Sequence, residues 1–380
     1  MEKNNNGITK DIENLLRVYF DQTEAAAFYQ KLKTPSNNSS GIKEAGNPDD
    51  QRQLTSEISA GFKERDLVTG IVTFAEKKFA KEKFLTFLIE LAELMTFNGE
   101  VSIAAEFSED VISKSEGDPG LLKHKAQAHL SLARIAWSQA YWQQSREEVQ
   151  KSYELFAEVE DKEGFAKCEN MLATICGEQG EIEKSLKHLE QGLLFLEDSD
   201  NMELRAMFEV NLGILYNMRG DSGKAAWNLK NSLEKYEKLN DTRRIARVRH
   251  NLGMLYTKLG DYQAALEEFN KSITISIDNG YLSNCAIGYI GKAFIYTKLK
   301  NNSLADVFTD KAMEISYKIN DTLSIADIYK IKGMIQNDLE NFDLSEEMFE
   351  NSIRLNEDFN SSLNKDESLD ELNKLHAKSR

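Results

Sequence analysis

The feature that most constrains this chain is a repeat of 40 residues. "VNLGILYNMRGDSGKAAWNLKNSL" runs from Val210 to Leu233, and "HNLGMLYTKLGDYQAALEEFNKSI" from His250 to Ile273, 40 residues later. Stepping by the same interval gives Ala133, Ala173, Gly213, Gly253, Ala293 and Gly333, all small. Seven positions on stand Ala140, Gly180, Gly220, Gly260, Lys300 and Glu340. Twelve on stand Ser145, Ser185, Ala225, Ala265, Ala305 and Ser345, and nineteen on Ser152, Gly192, Ser232, Ser272, Ala312 and Ser352. Small-residue columns at one fixed period mark a stacked repeat rather than a single globular core.

Each unit reads as two helices. Ala246, Leu252, Gly253, Tyr256 and Leu259 fall on one helical stripe, and Tyr262, Ala265, Leu266, Phe269, Ile273 and Ile277 on another. Between them Gly260 suits a left-handed C-cap and Asp261 an N-cap. Gly253 and Ala265 mark the predicted close contact, with Tyr256 and Phe269 filling the space around it. Trp137, Trp142 and Trp227 are predicted to pack in helix contacts.

These residues resemble the tetratricopeptide repeat. Its pattern of Leu-Gly, Tyr, Ala and Phe is matched by Leu252, Gly253, Tyr256, Ala265 and Phe269, and in part by Leu212, Gly213, Tyr216, Ala225 and Leu229. The period is longer than the usual ~34 residues, the Trp position holds Arg249 or Glu209, and the closing Pro is absent. The variant is similar to the long repeats of kinesin light chains, LGN-type polarity adaptors and bacterial Rap-type peptide sensors. The resemblance implies an all-α fold, a right-handed superhelical α-solenoid of about seven helix-turn-helix repeats over residues 85–360.

The flanks divide the rest. Residues 1–33 carry one predicted amphipathic helix, over 8–33. Residues 34–50 are rich in Ser, Asn, Gly and Pro and read as a flexible linker. Residues 51–84 read as a helical cap or degenerate repeat, and 361–380 as a polar tail or cap helix. The N-terminus shows no apolar signal segment, and the most apolar window, Phe84 to Phe97, is too short to span a bilayer. A cytoplasmic protein without membrane insertion is the expectation.

Composition narrows function. A net charge of −16 disfavours nucleic acid and anionic membrane surfaces. Cys168, Cys176 and Cys285 form no CxxC pair and read as buried packing residues. His124, His129, His188, His250 and His376 form no HExxH or Cys/His cluster. No P-loop or GxSxG elbow is present. The expectation is therefore no catalysis, no cofactor and no metal.

The first helix of each unit should line a concave wall. In "TRRIARVRH" (Thr242 to His250) four arginines stand without an acid. The face beside the packing stripe holds Arg247, His250, Asn251, Met254 and Lys258, and neighbouring units bring Asn211, Asn217, Met218 and Phe294. The resemblance implies that Asn211 and Asn251 hold the main chain of an extended peptide, with Arg247 one turn earlier reading an acidic side chain. The leading expectation is a non-catalytic scaffold binding a protein or peptide, acidic ones included, in the concave groove. The alternative is a Rap-like signalling regulator acting on a partner through its N-terminal helical module. The exposed flank of an end repeat could also form a homodimer.

Overall fold

The computed structural model describes residues 6–33, 65, 67–319, 321–359 and 361–378. They are helical throughout, with no strand among them. Helices α1 (Asn6–Tyr19), α2 (Gln22–Lys33) and α3 (67–78) precede the repeats. Seven hairpins follow: α4 (Lys81–Phe97) with α5 (Val101–Lys114), α6 (Leu122–Ser138) with α7 (Trp142–Glu158), α8 (Lys162–Glu178) with α9 (Ile182–Phe195), α10 (Met202–Arg219) with α11 (Ser222–Leu239), α12 (Thr242–Lys258) with α13 (Tyr262–Asn279), α14 (Leu282–Lys298) with α15 (Asn302–Lys318), and α16 (Thr322–Asp338) with α17 (Phe342–Asp358). Helix α18 (Ser362–Lys378) covers the last hairpin, with Leu372 and Leu375 buried in one cluster with Phe349. The chain is a right-handed α-solenoid.

Long helices absorb the long period. Helices α12 and α13 have 17 and 18 residues, joined by three. Asp161, Asp221, Asp241, Asp261 and Asp321 each start a helix by accepting from a main-chain N–H three residues on. Each hairpin turn has one left-handed residue. Gly180, Gly220 and Gly260 have φ of 74°, 90° and 77°, but Ala140, Lys300 and Glu340 also sit at 58°, 58° and 61°. That column is therefore set by backbone conformation rather than by small size, which is why it admits Lys and Glu.

The other columns are set by close approach. A Cβ on Gly253 would meet the Phe269 ring at 2.7 Å, and one on Gly213 would meet Leu229 at 2.6 Å. Phe269, rather than Ala265, occupies the space that Gly253 leaves. Where the column twelve residues on holds Ser, the hydroxyl bonds across the hairpin. Ser145 Oγ donates to Ala133 O at 2.7 Å, Ser185 to Ala173 O at 2.6 Å and Ser345 to Gly333 O at 2.8 Å.

The predicted single helix over 8–33 is two helices. Asp21 breaks it with a reciprocal cap. Its carboxylate accepts from Thr23 N (2.9 Å) and Glu24 N (3.0 Å), while Glu24 Oε2 accepts from Asp21 N (3.2 Å). The residues read as linker, 34–50, lie outside the described residues, as does most of 51–66. Phe20, Phe28, Phe74, Phe79 and Phe87 then knit α1–α4 into one aromatic core. One tryptophan departs from expectation. Trp227 is 63% exposed on α11, whereas Trp137 and Trp142 pack partly buried around Val149 and Phe156.

The superhelix completes a turn. Phe97 at the end of α4 lies under the Arg243 guanidinium of α12 at 5.2 Å, and a Cβ on Gly99 would meet Ile319 O at 3.0 Å. First helices of adjacent units touch one another, so they form the inner wall.

Candidate functional site

The inner wall is recognised by charges that converge from distant units. Arg247 is exposed, yet the protein around it pushes its pKa down, while Asp321 at the start of α16 and Glu178 at the end of α8 push it up. These carboxylates come from two units ahead and two units behind. Fields that meet in this way require a concave surface; on a convex face the side chains diverge. Burial raises the pKa of Glu178, and Asp327 of α16 adds to the rise against the opposing pull of Arg247.

The arginine run is mostly consumed inside the fold. Arg244 pairs with Glu203 (2.5 Å) and Asp241 (2.8 Å). Arg249 turns to the hairpin's other side and pairs with Glu237 (2.9 Å) and Glu268 (3.0 Å). Arg243 stacks on Tyr281 at 4.2 Å. Arg247 alone of the four combines exposure with no ion pair inside 4.0 Å among the described residues.

The asparagines also differ. Asn211 Nδ2 donates to Asn170 Oδ1 at 2.8 Å, tying α10 to α8. Among the described residues Asn251 Nδ2 has no hydrogen-bond partner, nor does Asn217 Oδ1, and both atoms are shielded from solvent. Asn251 is half-buried, one turn along α12 from Arg247. Its amide nitrogen is buried without a partner among the described residues, whereas that of Asn211 serves as an internal tie.

The remaining candidates divide in the same way. Among the described residues His250 Nδ1 lacks a partner, and its ring packs 5.3 Å from Phe269. Burial, then Arg247, lowers its pKa to about 3, so the imidazole is neutral. Lys258 Nζ donates to Asn217 O (2.5 Å) and Met218 O (3.3 Å), covering the C-terminal carbonyls of α10. Met218 is half-buried in the core below. Met254 is 44% exposed, and half-buried Phe294 has Lys298 over its ring at 5.0 Å.

The structure thus brings Arg247, Asn251 and Met254 onto one face of α12. It adds Glu178 and Asp321, which the sequence reading did not select. Glu178 stands in the repeat column of Lys258, so the period carried that signal; Asp321 carried none, because it doubles as an N-cap. Among the described residues, no group of three or more His, Cys, Asp or Glu side chains could hold a metal ion, and no helix is long and apolar enough to cross a membrane.

A family model described as "Tetratricopeptide repeat" matches residues 204–278. No curated protein matches the sequence. Several solved structures share the fold. The Rap conjugation gene regulator of the plasmid pLS20, in complex with the Phr* peptide, is 13% identical, with a TM-score of 0.62 over 93% of this chain and 89% of that one. A Rap protein complexed with Competence and Sporulation Factor is 15% identical, with a TM-score of 0.56 over 85% and 93%. The apo form of RapI is 18% identical, with a TM-score of 0.54 over 73% and 98%. At these identities the likeness shows the fold. Residues 204–278 are therefore tetratricopeptide repeats, set in an α-solenoid that resembles the Rap structures.

Proposed function

We propose that this chain is a protein-interaction scaffold whose inner wall, centred on α10, α12 and α14, binds an extended peptide with an acidic side chain. One observation carries the reading: Arg247 is exposed on a concave wall and has no ion pair within 4.0 Å among the described residues, while Arg244 and Arg249 are spent in ion pairs. Asn251 stands beside it, half-buried, and among the described residues its amide nitrogen has no hydrogen-bond partner, although it lies beneath the surface. Two of the similar folds were solved with a peptide or factor bound, which supports the ligand class. Glu178 and Asp321 on either side disfavour an acidic run, so a single acidic residue fits best.

The test is a random-peptide selection on the wild type, followed by anisotropy titrations of the enriched peptides. Arg247→Ala should weaken them about 10–100-fold, the equivalent of one charge-assisted hydrogen bond, and should remove most of the salt dependence. Equal affinity for both proteins would refute the reading.

A second reading, a regulator acting on a partner through the N-terminal helices α1–α3, is favoured by the aromatic cluster of Phe20, Phe28, Phe74 and Phe79 that packs those helices onto the first repeat. Loss of partner binding on Val18→Asp, at a side chain 76% exposed on α1, would support it.

A further inference from the structure

The proposed groove has an internal ruler. Ile214 on α10, Met254 on α12, Phe294 on α14 and Met334 on α16 stand 40 residues apart, one per unit. Ile214 and Met254 are 37% and 44% exposed, and Phe294 and Met334 are half-buried. The same column in earlier units holds Thr174 and Arg134, so the apolar row is confined to the last four units. Adjacent first helices touch, and packed helices stand about 8–10 Å apart. The row therefore offers one apolar contact about every 8–10 Å.

Three peptide conformations can be set against that spacing. A β-strand rises about 3.3 Å per residue, so every third residue falls at about 10 Å but points to the opposite face. An α-helix returns to one face after seven residues, about 10.5 Å. That is longer than the spacing of about 8–10 Å, and the helix's main-chain groups are already paired with one another. Polyproline II has three residues per turn and about 3.1 Å rise, so every third residue returns to one face after about 9.3 Å. It has no internal hydrogen bonds, and its main chain stays free to pair.

We infer, resting on the peptide-groove reading above, that the ligand binds as a polyproline II segment with an apolar side chain at every third residue. Its apolar residues sit on Ile214, Met254, Phe294 and Met334. Its main chain passes over Asn251, and one acidic side chain reaches Arg247. Charge complementarity selects the acidic residue: Arg247, Asn251 and Met254 step along α12 at intervals of four and three, on one face.

The experiment is to sequence the pool enriched from a random 12-residue peptide library by the full chain, subtracting the pool enriched by Arg247→Ala. Hydrophobicity along the enriched peptides should recur at lags of three and six, with proline accepted between. Replacing one periodic apolar residue by Ser should weaken binding at least tenfold, and Met254→Ser should abolish the preference at one of those positions. Recurrence at lag two, or at lags four and seven, would overturn this inference in favour of a strand or a helix. Arg247-dependent enrichment without any period would also overturn it. In each of these cases the groove reading survives. No enrichment that depends on Arg247 would overturn both.

Discussion

His188 Nδ1 lies 2.7 Å from Glu169 Oε2, joining the two helices of the third hairpin. The same place, nineteen residues apart in sequence, is filled in other hairpins by different chemistry. In the second hairpin the roles are exchanged, with His129 Nδ1 2.7 Å from Glu148 Oε2. In the fifth, Arg249 pairs with Glu268 at 3.0 Å, and in the sixth Tyr289 and Phe308 stack at 5.9 Å. One position thus clasps each of these hairpins, by ion pair or by ring contact.

The His188 clasp makes stability depend on pH. Hydrogen bonds with Cys176 and Glu169 raise its pKa to about 9, against about 6.5 for an unfolded His. The folded state holds the proton more tightly, so this stabilisation is complete below pH 6.5 and is lost as pH rises through 9. Urea unfolding of the wild type should lose about 1–2 kcal/mol over that window, allowing for partial exposure. His188→Gln should flatten the slope there and leave the acid side unchanged. An unaltered slope would show that the proton is held elsewhere.

Close helix approach gives a second test. Phe269 is fully buried between Gly253 and Gly291, whose added Cβ atoms would meet the ring at 2.7 and 2.5 Å. The ring cannot retreat from one without striking the other's helix. Gly253→Ala should therefore destabilise by about 1–3 kcal/mol despite the better helix propensity of Ala. Gly70→Ala, in α3 with nothing within 4 Å, should instead stabilise by about 1 kcal/mol. Thermal unfolding of the two variants should shift in opposite directions.

Repetition is what made this fold legible. Gly253 and Gly213 announced helix contact because three columns of small residues kept one register, and Asp261 announced a helix start by its place after Gly260. Single events were harder to read. Asp21 and Glu24 do form a recognisable capping pair, but an unbroken apolar pattern from 8 to 33 masked it. The size of Trp227 argues for burial, but its place on the outer face of α11 depends on packing that no local pattern encodes. At the site, sequence could select Arg247 and Asn251 by spacing. It could not tell Asn251, unpartnered among the described residues, from the committed Asn211, because that difference lies in Asn170, 41 residues from Asn211 and on another helix.

The turn column predicts a stabilising change. Glu340 holds φ at 61° where other turns use Gly, and among the described residues no ion pair of Glu340 compensates. Left-handed backbone costs a non-Gly residue about 1–2 kcal/mol, while Gly adds about 0.5–1 kcal/mol of unfolded-chain entropy. Glu340→Gly should raise stability by about 0.5–1 kcal/mol in urea unfolding. Gly260→Val, at φ 77°, should lower it by more than that.

Which face binds is the central claim, and site-specific photo-crosslinking tests it most directly. A benzophenone side chain would be placed at Met254 on the inner wall or at Trp227, 63% exposed on the outer face, and irradiated with an enriched peptide. The account predicts a crosslink from position 254, suppressed by Arg247→Ala, and none from position 227. A crosslink from 227 with none from 254 would contradict it and move the binding surface to the outside of the solenoid.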